Sequence, residues 1–319
     1  MMPKSKIFKE KILEDKLRPD HRIPRSPDPP ISQPDHPISQ LLRPNPRITE
    51  SLDRPISTLR PDPPISPGLV VYVTCGDPNL ATTKEIILAA ISAGADVIEL
   101  GVPFSDPVAD GPVIQRASER ALKNGTSLNH VLQLAREIRK QSQVGLVIFS
   151  YLNPVLRLGF ERFCAEAAYS GVDGVLLIDL TVEEADDYRR CMEVHQLATV
   201  FLVAPTSPDQ RLKRIAQACN GFVYAVSRTG VTGARAELAV DARDLVRRIR
   251  KYTKLPIAVG FGVSTPEHFS EIGQFADAAV VGSAIVQTIE QNPGRAAQAV
   301  AELIRSIKGN SHRSKPDLH

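Results

Sequence analysis

The sequence predicts a single closed (β/α)8 barrel, an α/β fold, behind an extended N-terminal arm. Three observations carry that reading: eight short apolar runs, helical patterns between them, and a sharp change of composition near residue 67. Strands that are continuous apolar runs, without alternation, belong to a parallel sheet buried on both faces. Eight such units in about 240 residues match the barrel in count and length. An open, doubly wound sheet is the alternative, but eight units without a second domain favour closure.

The arm comes first. Of the 26 prolines in 319 residues, 15 lie in residues 1–67, in a crude repeat of "PDPPIS" and "DHPIS" type. Proline fixes φ and removes amide donors, and few large apolar residues are available here, so this stretch predicts no core. Only residues 4–17, "KSKIFKEKILEDKL", space their apolar residues as a short, weak helix would. The readings open for the arm are a spacer, coding sequence upstream of the true start, and a proline-rich docking ligand.

Residues 68–308 are the predicted barrel. Its strands are "LVVYVTCG" (69–76), "DVIELGV" (96–102), "VGLVIFSY" (144–151), "GVLLIDL" (174–180), "ATVFLVA" (198–204), "GFVYAVS" (221–227), "PIAVGFG" (256–262) and "AAVVGSAI" (278–285). Helical patterns between them include "TKEIILAAISAG", "LNHVLQLAREIRKQ", "DQRLKRIAQAC" and "ARDLVRRIRKY". The last, "PGRAAQAVAELIRSI", follows the eighth strand. Several close on glycine, as a helix C-terminus does. Residues 309–319 are expected to form a flexible tail.

Charge and cysteine usage exclude several classes. The arm holds 12 of the 39 basic and 9 of the 36 acidic side chains, leaving the barrel neutral, without the basic face of a nucleic-acid binder. No apolar run is long enough to span a membrane. The four cysteines are scattered without metal-ligand spacing, which fits a reducing cytoplasm and predicts no metal site.

Barrel chemistry sits at the C-terminal ends of the strands, and three groups of residues fall there. Glu99 stands in the second strand among apolar neighbours. Desolvation raises such a carboxyl towards neutrality, the state a general acid–base needs, and an ion pair inside the barrel is the equal alternative. Asp110 lies in the following loop, where turn chemistry or a helix cap is the competing reading. Asp106 reads as a loop residue. Glycine-rich segments follow strands six, seven and eight: "SRTGVTGAR" (227–235), "GFGVS" (260–264) and "VGSAI" (281–285). Backbone amides at Gly262, Gly282 and Ser283 can converge on a phosphate, with tight turns as the alternative. The first segment is long enough for a lid. Tyr72, Tyr151 and Tyr224 fall near strand ends, as pocket aromatics or as core. Asp179 ends strand four, placed to cap the next helix. His130, His195 and His268 form no ligand constellation. There is no Walker or dinucleotide fingerprint.

The segment "ELGVPFSDPVADGPVIQ" (99–115) resembles the signature of the tryptophan synthase alpha chain family. The resemblance runs over roughly residues 69–308, through "VTCGDP", "FSYLNPV", "GVDGVLLIDL", "SRTGVTGAR", "GFGVS" and "GSAIV" in the family's order. It implies a TIM barrel that cleaves indole-3-glycerol phosphate to indole and glyceraldehyde 3-phosphate without a cofactor. By motif position Glu99 would be the proton shuttle and Asp110 the acceptor of the indole N–H. Thr232 matches the lid threonine, Gly233, Gly262, Gly282 and Ser283 match phosphate contacts, and Tyr72, Tyr151 and Tyr224 match pocket aromatics. The family works as an α2β2 complex whose beta chain carries pyridoxal phosphate. Two positions depart mildly: Tyr72, where phenylalanine is also common, and Thr181, where the family usually has proline. The proline-rich insertion is the larger departure.

Overall fold

The computed structural model describes residues 67–226, 235–260 and 262–309. The N-terminal arm with its weak helix, the segment 227–234 with Thr232 and Gly233, and the tail beyond 309 lie outside the described residues. Among the described residues, no helix is long and apolar enough to cross a membrane.

Eight parallel strands close on themselves in sequence order. They are β1 (Gly68–Thr74), β2 (Val97–Gly101), β3 (Gly145–Ser150), β4 (Gly174–Leu177), β5 (Ala198–Val203), β6 (Val223–Val226), β7 (Ile257–Gly260) and β8 (Ala278–Val281). β8 returns to β1 with Ala278 opposite Gly68, so no edge remains. Closure decides against the open sheet.

The helices form an outer ring: α1 (Leu80–Ser92), α2 (Pro112–Lys123), α3 (Leu128–Arg139), α4 (Leu152–Leu158), α5 (Phe160–Tyr169) and α6 (Asp186–Val194), then α7 (Asp209–Ala218), α8 (Arg235–Ile249), α9 (Pro266–Ile272), α10 (Ser283–Gln291) and α11 (Ala296–Ile307). Local signals set their ends. Asn79 caps α1 by accepting from the Thr82 amide at 2.9 Å. After α1, Gly94 turns the chain at φ +106°, a conformation that costs glycine little. α11 packs on α1 and so closes the ring.

Each strand sends alternate side chains to two cores. Outward residues such as Ile98, Leu100, Leu146 and Ile148 pack with the helices, all fully buried. Inward ones fill the barrel: Val70, Val97, Val147, Leu176, Val200, Phe222 and Tyr224. Fully burying such an aliphatic side chain contributes about 1.5–3 kcal/mol.

The barrel floor carries a repeated side-chain clasp. A residue one to three positions ahead of each even strand accepts from the first amides of the preceding odd strand. Asp96 takes the Leu69 amide at 2.8 Å and Asp173 the Leu146 amide at 2.9 Å. Asn220 takes the Thr199 amide at 2.6 Å and Asp277 the Ile257 amide at 2.7 Å. The three aspartates also pair with Lys308, Arg139 and Arg250 respectively. Arg139 further donates to the carbonyls of Gly171, Ser142 and Val144. Asp173 is 1% exposed, so removing its carboxylate takes a charge partner from the Arg139 guanidinium in a partly buried site. Asp173→Ala is therefore expected to lower unfolding stability by about 3 kcal/mol, read from denaturant midpoints. A loss under about 0.5 kcal/mol, the ordinary range for surface substitutions, would remove the clasp from the stability account.

Candidate active site

Glu99 is the central residue of β2 and stands beside Tyr72 of β1 and Val147 of β3 in the sheet register. It shares the inward face of β2 with Val97, one step nearer the mouth. It is fully buried, and neither carboxylate oxygen has a hydrogen-bond partner among the described residues. Among the described residues, the interior ion pair left open by the sequence does not form. Burial pushes the carboxyl up to about 8, so Glu99 holds its proton at neutral pH.

Asp110 sits half-buried at the mouth. Burial pushes it up to about 6, against the lowering pull of a hydrogen bond from Tyr151. The Tyr151 hydroxyl donates to Asp110 Oδ2 at 3.1 Å and accepts from the Ala109 amide at 3.0 Å. Phe104 stacks on the Tyr151 ring, centroids 4.9 Å apart. Gln115 fixes the loop from α2, donating to the carbonyls of Asp110 and Pro107. The cap reading for Asp110 fails: Gly111 is the N-cap of α2, Pro112 follows as its first residue, and no side chain caps that end. The carboxylate is thereby left for the cavity.

The two acids differ in state at pH 7, Glu99 neutral and Asp110 ionised. Tyr72 and Tyr224, both buried, join them electrostatically. Burial raises both phenols well above their ordinary value, and the nearby Asp110 and Glu99 carboxyls raise them further. Glycine makes room for each ring: a Cβ on Gly101 would lie 2.4 Å from the Tyr72 hydroxyl, and one on Gly260 2.9 Å from the Tyr224 ring. Phe149 meets Tyr72 edge-on at 5.1 Å. With half-buried Ile178, Leu202 and Val226 it lines an apolar upper barrel suited to a flat ring. Phe149 and Phe104 were not singled out in the sequence, though the inward alternation Phe149–Tyr151 carries a signal for the first.

Gly282 is the N-cap of α10 and Ser283 its first residue, so the first amides of this helix follow directly on β8, beside Tyr72, whose Cβ lies 3.5 Å from where a Gly282 Cβ would be. Gly262 is exposed after β7, with open space around its Cα. Asp106 is an exposed loop residue bonded to Ser105. Asp179 departs from expectation. It accepts from the Leu152 amide at 2.7 Å and so caps α4, which follows β3, instead of the next helix in sequence. β3 and β4 pair in the sheet with Ser150 opposite Leu177, which brings Asp179 beside the start of α4.

A family model described as "Tryptophan synthase alpha chain" matches residues 64–314. A tryptophan synthase alpha chain from Solibacter usitatus is 55% identical over 230 residues, covering 72% of this chain and 86% of the relative. One from Geobacter sulfurreducens is 46% identical over 247 residues, covering 76% and 94%. The chain belongs to the tryptophan synthase alpha chain family. That places it among the lyases of tryptophan biosynthesis. Solved structures agree. The tryptophan synthase subunit alpha of Legionella pneumophila superimposes with TM-score 0.73 at 35% identity, covering 82% of this chain and 97% of that one. A chain from the tryptophan synthase a2b2 complex of Pyrococcus furiosus gives 0.72 at 42% identity, covering 76% and 98%.

Tyr151→Phe removes the donor that favours ionised Asp110, so the Asp110 pKa is expected to rise above about 6. The pH dependence of the Asp110 carboxyl carbon shift checks this; an unchanged or lowered value contradicts the arrangement.

Proposed function

We propose that the chain cleaves indole-3-glycerol phosphate by a retro-aldol reaction, releasing indole and glyceraldehyde 3-phosphate. The observation that carries this reading is the pair of acids in different settings: Glu99, fully buried on the inward face of β2 without a partner among the described residues, and Asp110, half-buried at the mouth and held by Tyr151.

The indole C3 cannot leave as a carbanion, so it must be protonated before the bond to the glycerol carbon breaks. Protonated Glu99 delivers that proton. The resulting ring cation carries its positive charge towards N1, where the N–H donates to the Asp110 carboxylate. As the carbon–carbon bond breaks, its electron pair returns to the ring. The glycerol hydroxyl on the cleaved carbon loses its proton to Glu99 and becomes the aldehyde carbonyl. Glu99 ends protonated, so the cycle closes without a redox step or a cofactor. Tyr151 holds Asp110 in place, and Tyr72, Tyr151 and Tyr224 flank the ring. Gly262, Gly282 and Ser283 offer amides to the phosphate. By motif position, Gly233 would be a further phosphate contact and Thr232 the lid residue.

The partner in this reading is a beta chain in an α2β2 assembly, with pyridoxal phosphate on the beta chain. Exposed Val108, on the loop after β2, and Leu156, on α4 after β3, support a docking surface around the mouth. Residues 68–308 form the catalytic domain, 1–67 an arm and 309–319 a tail. Four buried thiols support a cytoplasmic setting.

Incubation with indole-3-glycerol phosphate, with and without a beta chain, should release indole; none under either condition sinks the reading. Glu99→Gln is expected to lower kcat by about 10²–10⁴ with substrate still bound, and near-wild-type turnover removes Glu99 from its role. The profile of kcat/KM against pH should fall below about 6, as Asp110 gains a proton, and above about 8, as Glu99 loses one. A flat profile from 5 to 9, a window set by those two groups, contradicts the assignment.

A further inference from the structure

Away from the mouth, the packing of α5 on α6 gathers a second set of reactive side chains that the lyase chemistry does not use. Cys191 lies in the last turns of α6, and His195 is the residue that closes it, four positions on. Side chains at that spacing share one helix face. Glu161, the second residue of α5, reaches across to them. Its Oε2 lies 3.8 Å from His195 Nε2, and one ligand atom from each of the three residues falls within 4.8 Å of the other two. In the chain Glu161 is thirty positions before Cys191, so its spacing gives no motif.

The arrangement is held firmly on one side and open on the other. Cys191 is 4% exposed and His195 half-buried, whereas Glu161 faces solvent and leaves an entry path. Gln196, next to His195, stands at φ +55°, a turn usually left to glycine. Its amide returns to the Glu193 carbonyl and that of Leu197 to the Met192 carbonyl, which fixes where His195 leaves the helix. Behind Cys191 lie more sulfur atoms, Cys164 Sγ 3.8 Å from Met192 Sδ.

We propose that Glu161, Cys191 and His195 form a binding site for a divalent zinc-class cation on the outer wall of the barrel. Metal–sulfur and metal–nitrogen bonds of about 2.3 and 2.0 Å, set tetrahedrally, put ligand atoms roughly 3.3–3.8 Å apart. The three ligand atoms lie within 4.8 Å of one another, about an ångström beyond that spacing, and the Glu161–His195 pair at 3.8 Å already meets it. One sulfur, one imidazole and one carboxylate suit zinc and exclude magnesium or calcium, which take oxygen ligands. As the metal–sulfur bond forms, the Cys191 thiol releases its proton to solvent. Thiolate and carboxylate then neutralise the dication, the imidazole stays neutral, and water takes the fourth position. The bound ion would tie α5 to α6.

The test uses the full-length protein, stripped with a chelator and titrated with Co²⁺. One equivalent should give thiolate-to-cobalt charge-transfer absorption, displaced by Zn²⁺. Cys191→Ser should abolish that band, and Cys164→Ala should leave it. His195→Gln, at a half-exposed position that does not endanger folding, should weaken cobalt binding about tenfold or more. Zn²⁺ should raise the Tm of the wild type and not of His195→Gln, their metal-free Tm values being equal. Indole release should be unchanged in all three variants. Absence of the band, its survival in Cys191→Ser, or equal cobalt affinity in wild type and His195→Gln overturns the proposal.

Discussion

The closed register of the eight strands is the constraint on which everything else in this barrel depends. Parallel strands can slide by two residues and keep the same faces inward, so the apolar pattern alone does not choose among registers. The clasps at the floor do. Asp96, Asp173, Asn220 and Asp277 each bind the leading amides of the neighbouring odd strand, and three of them are fixed in turn by Lys308, Arg139 and Arg250. With the floor pinned, the height of every inward side chain is determined. Glu99 then stands level with Tyr72 and Val147 at the top of a packed interior.

That placement carries an energetic cost that depends on pH. Glu99 has no partner among the described residues, so its charged form is disfavoured inside the barrel. Its folded pKa of about 8 lies above the ordinary 4.5 of an exposed glutamate. Between those values the native state holds a proton that the unfolded chain has released, so stability falls as pH rises through that window. At neutral pH most of the population keeps the proton, and the site tolerates a group suited to chemistry at some expense of stability. Asp110 avoids much of the same cost through the Tyr151 hydroxyl and its half-exposed position.

Aromatic rings and glycines are matched across the interior. Tyr72 occupies space over Gly101, and Tyr224 space over Gly260, where any β-carbon would collide with the ring. These glycines sit in strands, where they weaken local propensity. Their reason is tertiary: the neighbouring strand sends a large side chain over them. The same economy leaves the upper barrel lined by Phe149, Ile178, Leu202 and Val226, an apolar slot above the buried acid.

The sequence by itself determined the elements and the main chemical candidate. Eight apolar runs, the helical patterns and the glycine-rich turns are local features, each set by period and propensity within a dozen residues. A carboxylate between apolar neighbours in β2 was visible for the same reason. Tertiary structure decided which groups meet. Tyr151 reaches Asp110 over 41 positions, Asp179 caps a helix 27 positions before it, and Glu161 lies beside Cys191 and His195. None of these pairings has a local signature. They arise because closure sets neighbouring strand ends and neighbouring helices side by side, at distances that spacing along the chain does not encode.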